Sequence, residues 1–572
     1  MSVLRPRHPG FDRRISIGAP STEPSGTPYF AGYARAISLV AGEPLDVQVA
    51  TREEADCFAD VYRVVGCEDP GFDPAIEIVA RCDAAVKPLR CGQVAGHPPL
   101  APGACDSEGC GWPVSRVLDA IPETWQSGVY LVQFTSSRKP TGRLSAQMGQ
   151  DALFVLRPAR PSAPRLLQIG VATWSAYHLW GNRDLYGGLA DDGSWLHELR
   201  THRVSFSRPG IGLGAFNQSL WGPGKGSYLF KFLQWCAVEG IGLDCCTGLD
   251  IDAGTIDLDA YELVITVGHD EYWTGPQRDA IEGFVARGGN AAFLGGNLSY
   301  WQVRSLDDGE AIECYKRRGG VPLRSHSQPM PGDGEPLDPL YRSPDHNPQH
   351  DNHSVTVEFH SQPIDRPPTS LTGVSMRNDE SRRRAGEDPS GLVFAGACWW
   401  WEDLGGPERP SAGFTVSAEA HWALEGTGLL DGDVFGAEQK VVGFECDGLD
   451  VEIKDGRPAP TGCDSPPGIE IVAFADCRHW AETDYSQRPP SCTPGVRCNQ
   501  AALGGVVTIV SWRSEAGGEV FTAPTTDWVF ALRPTIDYTR YRNVRPPVNA
   551  ASEHVIQITR NAIERLSRRR PS

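Results

Sequence analysis

Positive charge is scarce in this chain: 53 Lys and Arg stand against 72 Asp and Glu, a formal net charge of −19. Such a surface repels phosphate backbones and anionic lipid, which excludes non-specific nucleic-acid binding and adsorption to membranes. The basic cluster at residues 565–570 is short and terminal and reads as a solvated tail. Long apolar runs are missing too. No stretch reaches the roughly 18 residues that span a bilayer. The opening Met1-Ser-Val-Leu-Arg-Pro-Arg has basic residues with no apolar run behind them, unlike a secretory signal. The expectation is a soluble, cytoplasmic protein. Internal repeats are absent, and so is any Cys-x2-Cys pair among the 16 cysteines. Cys105-x4-Cys110 and Cys492-x5-Cys498 are loose spacings for structural zinc, which ranks behind free thiols and disulfides. Disulfides would make export by another route the reading.

What is present is a globular composition, with 40% hydrophobic and 22% charged residues over 572 positions, enough for two or three domains. Residues 1–28 are a Pro-, Gly- and Ser-rich lead-in. From about 29 to 157 short alternating runs such as Leu45-Asp-Val-Gln-Val and Val129-Tyr-Leu-Val-Gln-Phe are broken by turn residues, which predicts a β-sandwich. A Cys- and Pro-rich insertion interrupts it at about 66–112. Pro158-Ala-Arg-Pro-Ser-Ala-Pro reads as a linker over 158–164. Beyond it, over 165–572, compact apolar runs alternate with helical spacing. Arg165-Leu-Leu-Gln-Ile, Tyr261-Glu-Leu-Val-Ile-Thr-Val and Asn290-Ala-Ala-Phe-Leu are strands; 229–239 and 276–287 are helices. That alternation predicts a doubly wound parallel sheet in an α/β domain, with reactive loops at the carboxyl ends of its strands. A polar excursion covers about 303–390, β-rich runs return after it, and 553–570 forms an amphipathic helix.

Three loops just past predicted strands concentrate chemistry: Thr173 to Gly188, rich in aromatics and amides; Gly268-His-Asp-Glu-Tyr-Trp-Thr; and Gly295-Gly-Asn-Leu-Ser-Tyr-Trp. Titratable groups gathered at strand ends suit proton transfer or metal binding. The competing structural reading is that Thr274 and its neighbours only cap the helix at Pro276.

These loops, together with Gly288-Gly-Asn-Ala-Ala-Phe-Leu-Gly-Gly-Asn, Trp422-Ala-Leu-Glu-Gly-Thr-Gly-Leu, Val442-Gly-Phe-Glu-Cys-Asp and Gly517-Gly-Glu-Val-Phe-Thr-Ala, closely resemble the N,N-dimethylformamidase large (beta) subunit family over about 165–570. The resemblance implies an immunoglobulin-like sandwich followed by a class I glutamine amidotransferase-like α/β domain. It also implies hydrolysis of the C–N bond of a small linear amide, and a mononuclear, ferric iron site made by two tyrosinates and a glutamate. Tyr272 matches one tyrosine of that set, and Tyr228 stands where the second is expected. The glutamate has no match by motif; His353 lies nearest by position, with His350 and Glu358 as alternatives and zinc as an alternative metal. His269, Asp270 and Glu271 are then candidate proton carriers. Asn182 and Asn297 are candidate amide-recognising groups, and Trp174 and Tyr177 candidate pocket walls. A small partner subunit or a homo-oligomer is implied as well. Two other function classes stay open. One is a thiol amidotransferase using Cys236, Cys245 or Cys246; the other is a non-catalytic protein binding a glycan or peptide in the same cleft.

Overall fold

The computed structural model describes residues 30–51, 57–65, 75–86, 105–135, 151–178, 180–181, 183–189, 195–211, 228–316, 336–376, 411–443, 445–461, 464–482, 505–533, 535–536 and 548–568. The fold is mixed α/β. The chain forms two compact units: one runs up to Ile256 and takes in Ser305–Cys314, and the other holds Asp257–Arg304 and the chain from Tyr315 onward.

In the first unit the alternating runs become β1 (Phe30–Ala34), β2 (Ser38–Leu39), β3 (Leu45–Thr51), β4 (Cys57–Val65), β5 (Ala75–Val86), β6 (Val114–Leu118), β7 (Gly128–Thr135) and β8 (Asp151–Leu156). They make two sheets, ordered β1-β3-β6 and β2-β8-β7-β4-β5. Alternation puts every second residue on one face. Leu45, Val47 and Val49 of β3 therefore meet Val61, Tyr130, Val132 and Phe154 of the other sheet in one core. The helix α1 (Cys105–Glu108) lies inside the Cys-rich insertion. After the proline linker, β9 (Arg165–Ile169) pairs in parallel with β10 (Asp244–Thr247). The first half of the aromatic loop is helical, as α2 (Val171–Ala176), and α3 spans Tyr228–Val238.

The second unit is built on β11 (Leu263–His269), β12 (Tyr272–Thr274), α4 (Gly275–Ala286), β13 (Asn290–Gly296), the first four residues of β14 (Trp301–Leu306), β15 (Phe414–Val416), β16 (Val434–Phe435), β17 (Glu470–Asp476), β18 (Val506–Arg513), β19 (Glu519–Thr522) and α5 (Glu553–Leu566). Its main sheet runs β11-β13-β19-β18-β17-β15-β16. The β11–β13 and β13–β19 pairs are parallel and the rest antiparallel. Strands β11 and β13 are buried on both faces, which is why they read as continuous apolar runs rather than alternating ones. The late β-rich segments add the antiparallel half.

Local chemistry fixes the ends of these elements. Thr274 and Gln277 form a reciprocal capping box at the start of α4, with Pro276 in its first turn. The Arg278 side chain on α4 is buried and donates to the carbonyls of Arg366 and Pro367 at 2.7 Å each, so the Arg366-Pro-Pro segment is tied to the helix. The apolar stripe Val555, Ile558, Ala562 and Leu566 of α5 is buried, and Asn290 donates to the Leu566 carbonyl at 2.8 Å at its last turn. No helix among the described residues is long and apolar enough to cross a membrane.

Candidate functional site

Strands β11 and β13 pair so that Gly268 faces Gly295 and His269 faces Gly296. Both Gly295 and Gly296 are required by close approach. A Cβ on Gly295 would lie 2.2 Å from the Gly268 carbonyl oxygen, and one on Gly296 would lie 1.9 Å from the carbonyl oxygen of Glu445. The carboxyl ends of the parallel strands therefore lie against the backbone at Glu445, and side chains from three stretches of chain meet.

His269 is at the centre. Its Nε2 atom lies 3.0 Å from Glu445 Oε2 and 3.3 Å from Glu271 Oε2, with all three side chains buried. The Asn297 amide lies 3.3 Å from the same nitrogen. Whichever way that amide is turned, one of its two polar atoms touches His269 and the other has no partner among the described residues. Glu445 Oε2 likewise sits off the line of a hydrogen bond and keeps lone pairs available. Burial pulls the imidazole pKa down, but the charges of Glu445 and Glu271, within 3.3 Å of Nε2, outweigh it and raise the group to about 10. At neutral pH the cluster thus holds a cation between two carboxylates.

Asp447 supports this arrangement from below. It accepts the main-chain N–H groups of Asn297 at 2.9 Å and Leu298 at 3.0 Å. Burial raises its carboxyl to about 7, against the pull of those two amides and of His269. Glu271 is held through its backbone: the amides of Tyr300 and Trp301 both donate to its carbonyl at 2.9 Å, and Ser299 N–H donates to the Asp270 carbonyl at 3.0 Å. Three non-glycine residues here have left-handed backbones, Asn297 (φ 54°), Ser299 (φ 51°) and Glu445 (φ 40°). Each such residue costs on the order of 1–3 kcal/mol, and strain of that kind gathers where side chains must be aimed.

Of the residues singled out from sequence, His269, Glu271 and Asn297 are brought together. Asp270 is buried beside them. Glu445 and Asp447 were assigned no role from sequence, although Val442-Gly-Phe-Glu-Cys-Asp was one of the segments carrying the resemblance. Trp174, Tyr177 and Tyr228 belong to the first unit and are buried there. Tyr177 stacks on Tyr186 with ring centroids 4.7 Å apart and hydroxyls 2.7 Å apart. Asn182 lies outside the described residues. Cys236, Cys245 and Cys246 are buried, and burial pushes their thiols far up, Cys245 to about 12, so none is an activated nucleophile.

The iron ligands implied by the resemblance fit less well. Tyr272 Oη receives a hydrogen bond from the buried Lys316 ammonium at 2.9 Å, and that ammonium also lies 4.4 Å over the Trp301 ring. The oxygen that iron would need already accepts this hydrogen bond from a buried side chain. His353 is exposed, Glu358 is buried, and the His353 contact with this region is its main-chain carbonyl, which accepts from Gln302. Tyr272 with His353 is not an assembled iron site in this structure.

The beta subunit of N,N-dimethylformamidase from Paracoccus aminophilus is 30% identical over 127 residues, 21% of this chain and 16% of that protein. The match to that curated relative thus spans about a sixth of its length. The pattern of the family described as N,N-dimethylformamidase beta subunit-like, C-terminal, fits residues 80–543, which include His269, Glu271, Asn297, Glu445 and Asp447. The chain belongs to the N,N-dimethylformamidase beta subunit-like family.

Proposed function

We propose that this protein is an amidohydrolase that cleaves the C–N bond of a small linear amide, dimethylformamidase-like, at the His269 cluster. The observation that carries the proposal is a buried imidazolium held by two carboxylates beside an amide with one polar atom unsatisfied among the described residues. That set can do the three things amide hydrolysis needs. Glu445, with lone pairs off its ion-pair axis, takes a proton from the attacking water. Asn297 and the His269 charge face the oxygen on which negative charge develops. His269 then delivers a proton to the departing amine. Its pKa, raised to about 10, keeps the imidazolium charged at neutral pH until that step is reached. Once Glu445 has gained a proton its charge no longer holds the imidazolium proton, and release becomes easier at the step that needs it.

Iron, with zinc as a substitute, belongs to this proposal only as what the family resemblance implies. No step above is routed through a metal. A small partner subunit or a homo-oligomer is proposed in line with the relative's description as a beta subunit. The finer fold reading is proposed too: an immunoglobulin-like sandwich, supported by two sheets on one core, and an amidotransferase-like sheet, supported by parallel β11-β13-β19.

The test is release of amine from a panel of N-methyl and N,N-dimethyl formamides and acetamides by the purified protein, assayed as isolated and after iron or zinc loading. Turnover of at least one, lost in Glu445→Gln, is expected. No amine release from any of them under any loading would overturn the proposal.

A further inference from the structure

A second cluster of chemistry-bearing side chains lies in the first unit, and nothing in the proposed hydrolysis uses it. The turn after α1 contains Gly109 (φ 78°) and Gly111 (φ 59°), whose left-handed backbones fold the chain back on itself. Cys105 and Cys110 are thereby brought face to face, both buried, with their sulfurs 3.1 Å apart. The turn is pinned at its far side. Cys110 N–H donates to the Ser207 carbonyl at 2.9 Å, and a Cβ on Gly109 would lie 2.7 Å from Ser207 Cβ.

The same turn is the floor under the aromatic loop. A Cβ on Gly181 would lie 2.6 Å from the Asp106 amide nitrogen, and Trp180 meets Trp112 edge-on with centroids 6.4 Å apart. Between turn and loop is Arg208, fully buried. Its guanidinium donates to uncharged oxygens: the carbonyls of Ser205, His178, Trp180 and Ser175, and the Ser175 hydroxyl. Its charge acts through space on Cys105, Asp106 and Cys110. That charge is shared with the carboxylates of Asp106 and Asp184, and what reaches the two sulfurs favours the thiolate, the species that attacks in thiol–disulfide exchange.

We propose that Cys105 and Cys110 are a redox-modified pair that closes to a disulfide when met by a small disulfide oxidant such as oxidised glutathione, clamping the turn under the aromatic loop 174–188. One protein thiol loses its proton and attacks the oxidant, releasing one glutathione thiolate and leaving a mixed disulfide. The second protein thiol loses its proton and displaces the other glutathione. Two S–H bonds break and one S–S bond forms in the protein; two electrons and two protons pass to the oxidant, which leaves as two thiols. Burial pushes the Cys110 thiol up, so closure is slow at neutral pH and quickens as pH rises. The closed loop is only a few residues long, so the gain from restricting the unfolded chain is small. The clamp acts mainly on the local packing of Trp180 and Gly181.

The test uses the full chain equilibrated in mixtures of reduced and oxidised glutathione, then denatured, alkylated and peptide-mapped by mass spectrometry. In the oxidising arm the peptide holding Cys105 and Cys110 should be two hydrogens lighter and unalkylated; in the reducing arm both thiols should be alkylated. Limited proteolysis within 174–188 should slow several-fold on oxidation in the wild type and not in Cys110→Ser. Both thiols alkylated at every ratio, either one cross-linked to a different cysteine, or a closed disulfide with unchanged proteolysis would each overturn the proposal. The mapping needs no substituted protein and no amidase activity, so its outcome is independent of the hydrolase reading.

Discussion

The Nε2 atom of His269 and the Oε2 atom of Glu445 lie 3.0 Å apart although 176 residues separate them in sequence, and both side chains are buried. The contact exists because Gly296 has no side chain to keep the 445 segment away. Glu445→Gln keeps the shape and removes the charge. Loss of the carboxylate that takes the proton from water should lower kcat by roughly 10²–10⁴-fold, the usual worth of general base catalysis. The imidazole should also titrate lower, moving the alkaline limb of the pH–rate profile down. Both are read from one pH series on the purified variant; an unchanged kcat would remove Glu445 from the reaction.

Stability should fall as pH rises, through two groups with the same sign. The His269 pKa is raised to about 10 from 6.5, so the folded state holds an extra proton between those values. Its contribution is full below about 6.5 and lost as pH climbs toward 10. Asp447, raised to about 7 from 3.8, also holds an extra proton when folded, and its own effect wears away between about 4 and 7. His421, lowered to about 4 from 6.5, acts with the opposite sign between those values and offsets Asp447 there, so the urea midpoint should drop from pH 7 to pH 10. The slope is at most about 1.4 kcal/mol per pH unit for each group while it titrates. His269→Gln should flatten the part above pH 7. An equally steep fall in that variant would mean other groups carry it.

Much of this site was legible in the sequence, and the rest was not for a definite reason. The strands around Leu263 and Asn290 announce themselves as short apolar runs closed by glycines, and the helix at Gly275 by its Thr274–Gln277 box. Their carboxyl ends therefore named His269, Glu271 and Asn297. Glu445 and Asp447 follow no strand of regular length. They sit in an irregular segment whose only local mark is a short motif, and their importance comes from backbone contacts to Gly296, Asn297 and Leu298 that no periodicity encodes. Tyr272 carried a ligand role through resemblance alone, and the buried Lys316 that holds its oxygen is 44 residues on and carries no motif.

Gly296→Ala should damage fold and site together. The added Cβ would come 1.9 Å from the Glu445 carbonyl and 3.1 Å from the Thr526 amide, both backbone atoms that cannot rotate away. Overpacking of this kind costs about 1–3 kcal/mol. Relief requires the 445 segment to lift, which separates Glu445 from His269. A urea midpoint lowered by that amount with kcat reduced as in Glu445→Gln is expected. Wild-type stability would show that the segment yields freely.

The Lys316–Tyr272 pair makes a prediction about metal. With the ammonium 2.9 Å from the phenol oxygen, Tyr272→Phe should leave metal content, and any visible absorbance after iron loading, unchanged. Elemental analysis and a visible spectrum on both proteins decide it. A charge-transfer band present in the wild type and lost in Tyr272→Phe would place iron on that oxygen after all.

One other histidine looks catalytic at first sight. His421 Nε2 lies 2.8 Å from Ser511 Oγ, both buried, which is the spacing of a nucleophile and its base. The tautomer argues otherwise. His421 Nδ1 accepts the Ala423 main-chain N–H at 3.1 Å, so in the neutral ring the proton is on Nε2 and points at the serine oxygen. Burial lowers the His421 pKa to about 4, so the ring is neutral throughout the working range. A ring that donates to the hydroxyl cannot take its proton, and the pair is a hydrogen bond that fastens the 421–424 turn to β18. Ser511→Ala should therefore cost about 1 kcal/mol of stability, the usual worth of such a bond, and leave amide hydrolysis at its wild-type rate. Reaction with a serine-directed organophosphonate should give no adduct at Ser511 by peptide mapping. A labelled serine, or a rate lost in Ser511→Ala with stability kept, would make it a second nucleophilic centre.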